Sequence, residues 1–430
     1  MKRVLFNTDS VQELHSIWKS FIYNPPEGYV YHDLSGKQIK QPAINLNGNS
    51  SIDLKSSIKK RQFIGFVNNY FFKNVYINYF VKRYIARNMT KKVNIINPDI
   101  VYCINGSFIH CDKPWIIDVE QVGVFTFLYN YIALSNRIYR TYIENSLSSE
   151  NCKKILPYSE TAKKSILANL NCDKFIDKIK TIPNAVKYKK DIPKIQEDTF
   201  NILFVGSCNN PDEFYNRGGR EVIFCFLKLI KKLPNLKLII RAIIPNRYKN
   251  LLRKHNNFEL YENLCDFCAN YSCNYKKLKK EEKASPLSLC FSYIKSPQFD
   301  NLFLRSDVYF FPAYTGYAMS ILDGLNFGLP IITTDFLENG EQIINDYNGF
   351  KINLKNKPRF CLPYIPIHVT EKTIPPIDKE FIKENCDKIQ YLYENESEKI
   401  KMGRNSRQLL KNKYSLEKKN QSLKKIYDKI

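Results

Sequence analysis

A glycine and an arginine frame a candidate anion site in the middle of the chain. Gly206 directly follows the predicted strand Asn201–Val205, and Arg217 precedes an apolar helical pattern that begins at Val222. A glycine at a strand-to-helix turn lets backbone amides approach a phosphate, and the helix N-terminus favours its negative charge. An arginine can hold two phosphate oxygens at once. This spacing predicts a phosphate-binding turn.

A second set of polar residues belongs to a predicted β-α-β unit between Asp307 and Glu341. Thr315 and Gly316 follow a short apolar strand, and Asp323 lies within the helix that comes next. The predicted elements are a strand at Val308–Phe311, a helix at about Ala318–Asn326 and a strand at Ile331–Thr333. Ligands of parallel sheets bind at the carboxyl ends of strands, so the loop of residues 313–320 is a candidate site.

Two carboxylates follow a third apolar run. Asp118 and Glu120 end the predicted strand Trp115–Val119, which places them at a strand end of an α/β sheet. Solvated loop charges are an equally good interpretation of these two residues by themselves.

Alternating apolar strands and helices along the whole chain predict an α/β fold. Further strands are expected at Val4–Phe6, Ile100–Ile104, Ile155–Tyr158 and residues 235–241, with Ser159 as an N-cap. Residues 24–60 carry few periodic signals, residues 187–199 have the composition of a linker, and residues 353–376 contain five prolines that indicate a loop. The tail is predicted to be helical from about Asp378.

Several segments resemble glycosyltransferase family 4, retaining sugar transferases of the GT-B fold. The similarity covers most of residues 95–350 and the C-terminal helix, and it is densest at 201–240 and 307–350. Gly328-Leu329-Pro330 and Thr334-Asp335 are its best-matching motifs. Thr315 and Asp323 stand where the family usually has two glutamates, and Ser207 stands where it has a basic residue. The resemblance implies two Rossmann-like domains facing a central cleft, with a C-terminal helix that crosses back to the first domain. It implies an acceptor-binding domain at residues 1–186, a nucleotide-sugar-binding domain at 200–405 and the closing helix at 406–430.

The resemblance also implies site residues and a reaction, namely metal-independent transfer from a nucleoside-diphosphate sugar to a glycan or lipid-linked acceptor. Arg217 would neutralise the departing diphosphate, Thr315 would lie near the donor sugar, and Glu120 would orient the sugar or acceptor. Asp323 would accept hydrogen bonds from the ribose. The implied donor-binding set is Gly206, Ser207, Arg217, Gly316, Tyr317, Ala318, Met319 and Asp323. No metal or organic cofactor is expected, and the sequence contains no Asp-x-Asp triplet.

Two other classes of function remain open. A sugar-nucleotide-binding protein without transferase activity would tolerate the departures at Thr315 and Ser207. Nucleic-acid binding is suggested only by the net charge of +24, and no base-reading motif accompanies it, so no nucleic-acid partner is expected. The net charge has an equally good alternative explanation, namely that lysine occupies surface positions that tolerate any polar residue.

The high charge and one aromatic segment suggest a membrane surface as a further partner. Residues 63–87 repeat apolar side chains at helical spacing and include Lys73, Lys82, Arg83 and Arg87. An interfacial membrane helix and a core helix with a basic solvated side both fit this pattern, and the core helix is favoured. The sequence shows no signal peptide or apolar membrane-spanning run, so a cytoplasmic protein, peripheral at the inner face of a membrane, is expected.

Four cysteines in residues 262–290 have near-zinc spacing. Cys265, Cys268, Cys273 and Cys290 follow C-x2-C-x4-C-x16-C, which differs from common zinc modules and has no histidine among its members. Reduced thiols in an inserted segment are the favoured interpretation.

Overall fold

The structure is a computed structural model that describes residues 1–8, 16–40, 74–206, 212–262, 297–316 and 319–430. The chain divides into two compact units. The N-terminal unit comprises Met1–Ala185, Phe360–Ile365 and Leu416–Ile430. The C-terminal unit comprises Val186–Arg359 and Pro366–Ser415. The four cysteines of the zinc hypothesis lie outside the described residues.

The described strands are short and mostly apolar, as buried parallel strands are. They are β1 Lys2–Phe6, β2 Tyr29–His32, β3 Ile100–Cys103, β4 Trp115–Val119, β5 Cys152–Pro157, β6 Phe200–Val205, β7 Leu236–Arg241, β8 Phe258–Tyr261, β9 Val308–Phe311, β10 Ile331–Thr334, β11 Gly349–Ile352, β12 Phe360–Leu362 and β13 Ile365–Pro366.

The described helices separate these strands. They are α1 Ser16–Ile22, α2 Val75–Ile96, α3 Ile132–Ser135, α4 Arg137–Ser148, α5 Glu160–Asn169, α6 Glu213–Asn216, α7 Gly219–Leu229, α8 Asn246–Leu252, α9 Pro297–Leu304, α10 Met319–Asn326, α11 Lys379–Glu394, α12 Glu396–Leu409 and α13 Leu416–Tyr427. Short 3-10 turns occur at Val122–Phe125, Phe127–Tyr129, Ile176–Lys178 and Leu337–Glu341, and a π turn occurs at Leu410–Tyr414.

The N-terminal unit contains a parallel five-stranded sheet in the order β2-β1-β3-β4-β5. Every residue of β3 and β4 is buried. The predicted N-cap is confirmed, since the Ser159 hydroxyl accepts a hydrogen bond from the Ala162 amide at 2.8 Å. The sequence did not predict β2, which lies in the turn-rich stretch 24–60 and pairs in parallel with β1.

The C-terminal unit contains a parallel six-stranded sheet in the order β11-β10-β9-β6-β7-β8. The chain runs outward from β6 to β8 on one side and from β9 to β11 on the other. The boundary between β6 and β9 is therefore a topological switch point, where open α/β sheets bind ligands. The loops that follow both strands are the two candidate loops of the sequence analysis.

Three predicted segments differ in the structure: one helix starts earlier, one loop contains strands, and one helix is interrupted. Helix α7 begins at Gly219 rather than Val222, because Gly218 adopts a left-handed conformation and serves as its N-cap. The predicted loop at 353–376 contains strands β12 and β13, which form a small two-stranded sheet. The predicted closing helix is interrupted at Ser415, whose extended backbone separates the π turn from α13.

The helix predicted at residues 63–87 lies further towards the C-terminus in the structure. Helix α2 covers Val75–Ile96, and residues 63–73 lie outside the described residues. Lys82 does not belong to its solvated face: its Nζ donates to the Val124 carbonyl at 3.1 Å and lies 5.7 Å from the Phe108 ring centroid. Burial lowers the pKa of Lys82 to about 7. No helix in the described ranges has the length and hydrophobicity needed to cross a bilayer.

Candidate functional site

The two candidate loops of the C-terminal unit pack directly against each other. Gly218 has a φ of 78°, and a Cβ at this position would overlap the Pro312 carbonyl oxygen. The Tyr314 amide donates to the Asn216 carbonyl at 2.9 Å. The turn before α7 is thereby fixed against the loop after β9. Gly206 ends β6 at the same edge of the sheet, where its amide donates to the Arg241 carbonyl at 2.9 Å.

Arg217 lies between α6 and the N-cap of α7. Its Nε donates to Glu213 Oε2 at 2.9 Å, and its guanidinium carbon lies 5.8 Å from the centroid of the Phe311 ring. The side chain remains 24% exposed, so a ligand can reach it. Glu213 neutralises part of the positive charge, and a bound phosphate would compete with that carboxylate for the same donors.

Asp323 and Arg217 both act electrostatically on one buried phenol, that of Tyr309 in β9. The Tyr309 hydroxyl donates to Ser320 Oγ at 2.7 Å. Burial raises the pKa of Tyr309, while the Arg217 cation acts to lower it and the Asp323 carboxylate acts to raise it. Asp323 is itself buried in α10. Two predicted donor-binding residues that are distant in sequence thus both influence the same side chain of β9.

Thr315 and Gly316 both contact the turn that follows β10. Thr315 Oγ1 donates to the Gly316 carbonyl at 3.2 Å, and the Thr315 carbonyl accepts from Asn339 Nδ2 at 2.6 Å. Met319 is the first residue of α10 and packs against the core of the unit. Ser207, Tyr317 and Ala318, which complete the predicted donor-binding set, lie outside the described residues.

A buried cluster that sequence reasoning missed joins α7 to the loop after β9. Arg220 Nε donates to Glu221 Oε1 at 2.7 Å, and the Tyr314 hydroxyl donates to the same oxygen at 2.8 Å. Burial raises the pKa of Glu221, and Arg220 and Tyr314 oppose that shift. The prediction that α7 began at Val222 placed Arg220 and Glu221 in a loop. The sequence signal that could have identified them is that Arg220 and Glu221 directly follow Gly218-Gly219 and so fall in the first turn of a helix that begins after a glycine.

Glu120 has an ordered hydrogen-bond environment within the N-terminal unit. The Tyr129 hydroxyl lies 3.1 Å from Glu120 Oε2 and 3.2 Å from Asn105 Oδ1, so it can donate to either oxygen. Tyr129 and Asn105 have positive φ values of 55° and 52°. A tyrosine in this region is strained, and such strain is common at functional sites. Glu120 is partly exposed, so a ligand can reach its carboxylate.

Asp118, by contrast, is fully enclosed. Its carboxylate accepts from Trp18 Nε1 at 2.7 Å and from the Asn105 amide at 2.9 Å. Burial raises the pKa of Asp118 to about 6, and Lys419 is among the groups that oppose the shift. Burial also lowers the pKa of Lys419 to about 8. Asp118 therefore orders the ends of β3 and β4 and does not face a ligand.

We expect Asp118 to make the stability of the protein fall as pH rises from about 4 to about 6. The folded protein keeps the proton on Asp118 to about pH 6, whereas the unfolded chain loses it near the ordinary aspartate pKa of 3.8. This difference corresponds to roughly 3 kcal/mol of unfolding free energy. Urea unfolding of wild type and Asp118→Asn should give curves that diverge across this window. Asp112→Asn, which removes an exposed carboxylate of the same unit, is the control, and parallel wild-type and Asp118→Asn curves would contradict the assignment.

Comparison with known proteins identifies the fold. No family model matches the chain, and no curated protein matches it. HepE from Anabaena, solved in complex with UDP, superposes with a TM-score of 0.56 at 9% identity over 100% of both chains. A glycosyltransferase from Rickettsia africae gives 0.56 at 13% identity over 99% of this chain and 97% of its own. The pneumococcal O-GlcNAc transferase GtfA, in complex with UDP and GlcNAc, gives a TM-score of 0.50 at 12% identity over 80% of this chain and 59% of its own.

The predicted GT-B fold, with two parallel-sheet α/β units, is confirmed. Membership of family 4 stays a prediction.

Proposed function

We propose that the protein is a glycosyltransferase that moves a sugar from a nucleoside-diphosphate sugar to a glycan or lipid-linked acceptor. The observation that supports this most directly is the packing of the turn that contains Arg217 against the loop after β9, at the switch point between β6 and β9. Asp323 is buried in α10, the helix that follows this loop. A cation and a carboxylate at this place suit the two polar ends of a nucleoside diphosphate, its phosphates and its ribose. Similar solved structures contain UDP and UDP-glucose, which fits the same class of donor.

The proposed chemistry is retaining transfer without a metal, as in family 4. Departure of the diphosphate builds negative charge, and Arg217 would stabilise that charge where it develops. Asp323 would accept hydrogen bonds from the ribose hydroxyls. The leaving phosphate would take the proton of the acceptor hydroxyl, and Glu120, held by Tyr129, would orient the acceptor.

Donor hydrolysis with a panel of nucleotide sugars, with and without EDTA, tests the proposal. The expected result is EDTA-insensitive release of sugar from one donor, with NMR showing that the anomeric configuration is retained. Tight binding of a nucleotide sugar without hydrolysis or transfer would favour the alternative, a sugar-nucleotide-binding protein. Inversion of the anomer would exclude family 4 chemistry.

Helix α2 carries the features of a membrane contact within the N-terminal unit. Its 22 residues include no Asp or Glu. Its exposed side chains include the rings of Tyr76, Phe80 and Tyr84 and the cations Arg83, Arg87, Lys91 and Lys92. Aromatic rings beside cations suit the interface of an anionic bilayer, where lipid-linked acceptors reside.

We expect the protein to sediment with anionic liposomes at low salt and to be released above physiological salt, where surface charge acts over less than about 8 Å. Replacing Arg83, Arg87, Lys91 and Lys92 with Gln should lower this binding and leave donor hydrolysis unchanged. Lys82 is kept, because it is buried and supports the fold. Equal sedimentation of variant and wild type would show that α2 is an ordinary core helix with a basic side.

A further inference from the structure

We infer that Glu338 supplies the carboxylate that accepts hydrogen bonds from the hydroxyl groups of the donor sugar. This inference rests on the proposed function and identifies the residue that holds the sugar half of the donor. Neither the motif spacing nor the resemblance pointed to Glu338, which lies in the turn after β10.

The fold places Glu338 beside the candidate loop. Strands β9 and β10 are parallel neighbours, with Tyr309 opposite Ile331, so the segments that follow them leave the same sheet edge side by side. Leu337 has a φ of 51° at the start of the turn Leu337–Glu341. This left-handed residue turns the chain back towards the loop that contains Gly316.

The carboxylate of Glu338 lies directly against Gly316. Its Oε2 occupies the place where a Cβ at residue 316 would stand. Any side chain at residue 316 would displace the carboxylate. Glycine at this position therefore allows Glu338 Oε2 to lie against the backbone of the loop. Glu338 is only 7% exposed, which limits competing water and strengthens its interaction with a donor group that reaches it.

Asn339 fixes the turn to the loop and offers a second acceptor. It is fully buried, and its Nδ2 donates to the Thr315 carbonyl at 2.6 Å. Its Oδ1 is buried and has no hydrogen-bond partner in the part of the chain that the structure describes. Buried acceptors are normally satisfied, so an unpaired one beside a candidate site indicates a missing hydrogen-bond donor.

Sugar hydroxyl groups are the donors that suit this pair of acceptors. The Thr315 hydroxyl is turned onto its own loop, where it donates to the Gly316 carbonyl. A carboxylate forms stronger hydrogen bonds than a neutral hydroxyl, because its charge assists them. Glu338 is therefore better suited than Thr315 to orient the sugar.

The test compares nucleotide with nucleotide-sugar binding, using the best donor of the panel and the corresponding nucleoside diphosphate. In calorimetric titrations, Glu338→Gln should bind the nucleoside diphosphate within about twofold of wild type. Its affinity for the sugar donor and its rate of donor hydrolysis should both fall roughly tenfold to a hundredfold. Glu338→Asp, which keeps the charge, should recover part of the loss. Glu341→Gln, the same change in the same turn, is the matched control and should behave as wild type.

Gly316→Ala provides an independent variant, because it displaces the carboxylate without removing it. It should show the same selective loss of sugar-donor affinity. If Glu338→Gln fails to fold, Gly316→Ala and Glu338→Asp are the two variants that test the role of Glu338. Wild-type values in Glu338→Gln, or equal losses for diphosphate and sugar donor, would overturn the role of Glu338 and leave the proposed function standing. Failure of the wild type to bind any nucleotide sugar would overturn the proposed function itself.

Discussion

Arg217→Ala is expected to weaken donor binding and donor hydrolysis roughly tenfold to a hundredfold. The variant removes a cation beside the switch point, and a hydrogen bond to a charged group is typically worth about 1.5–3 kcal/mol. The loss should be larger than that of a simple contact, because Glu213 would remain without its partner next to the incoming phosphates. Calorimetric titration with the nucleoside diphosphate and the sugar donor measures it, and both affinities should fall together.

A double-mutant cycle with Glu213 separates the two contributions. Glu213→Gln alone should not weaken nucleotide binding, because it frees the Arg217 side chain. The Glu213→Gln/Arg217→Ala variant should recover part of the affinity lost in Arg217→Ala, since the repulsive carboxylate is gone. Arg404→Ala, which removes an exposed cation of α12 in the same unit, controls for net charge. Unchanged affinity in Arg217→Ala would end the assignment of Arg217 to the phosphates.

The elements that position the candidate site could be predicted because buried parallel strands and amphipathic helices have local signatures. Strands β4, β9 and β10 are short, fully buried and mostly apolar. The strand β2 could not be found in this way, because Tyr29–His32 alternates between buried and half-buried positions and is not fully buried. Pairing with β1, which sequence reading does not show, defines it as a strand.

The polar contacts of the site were less predictable because they join residues that are distant in sequence. Nothing local to Glu338 indicates that its carboxylate lies against Gly316. The role of Asp118 likewise depends on Trp18, which donates to it from α1. Spacing along the chain identifies which side chains leave the same strand end, but burial and packing decide which of them face a ligand. Glu120 and Asp118 illustrate the difference, since only Glu120 is partly exposed.

Gly218→Ala is expected to destabilise the C-terminal unit and to weaken donor binding at the same time. Its φ of 78° costs an alanine about 1–2 kcal/mol by itself. The added Cβ would also overlap the Pro312 carbonyl oxygen, so the loop after β9 must move away from the turn before α7. That movement would separate Arg217 from the loop that contains Thr315 and Gly316. Urea unfolding and nucleotide titration of the same preparation measure the two effects.

Gly28→Ala isolates the conformational part of this cost. Gly28 has a φ of 88°, and apart from its two chain neighbours a Cβ there would meet no atom of the described residues within 4 Å. The variant should therefore lose only the roughly 1–2 kcal/mol of the left-handed conformation and should bind the donor as wild type does. The excess destabilisation of Gly218→Ala over Gly28→Ala then measures the close approach of the two loops. If both variants lost equal stability and both kept full donor affinity, the contact between Gly218 and Pro312 would not be what holds the site together.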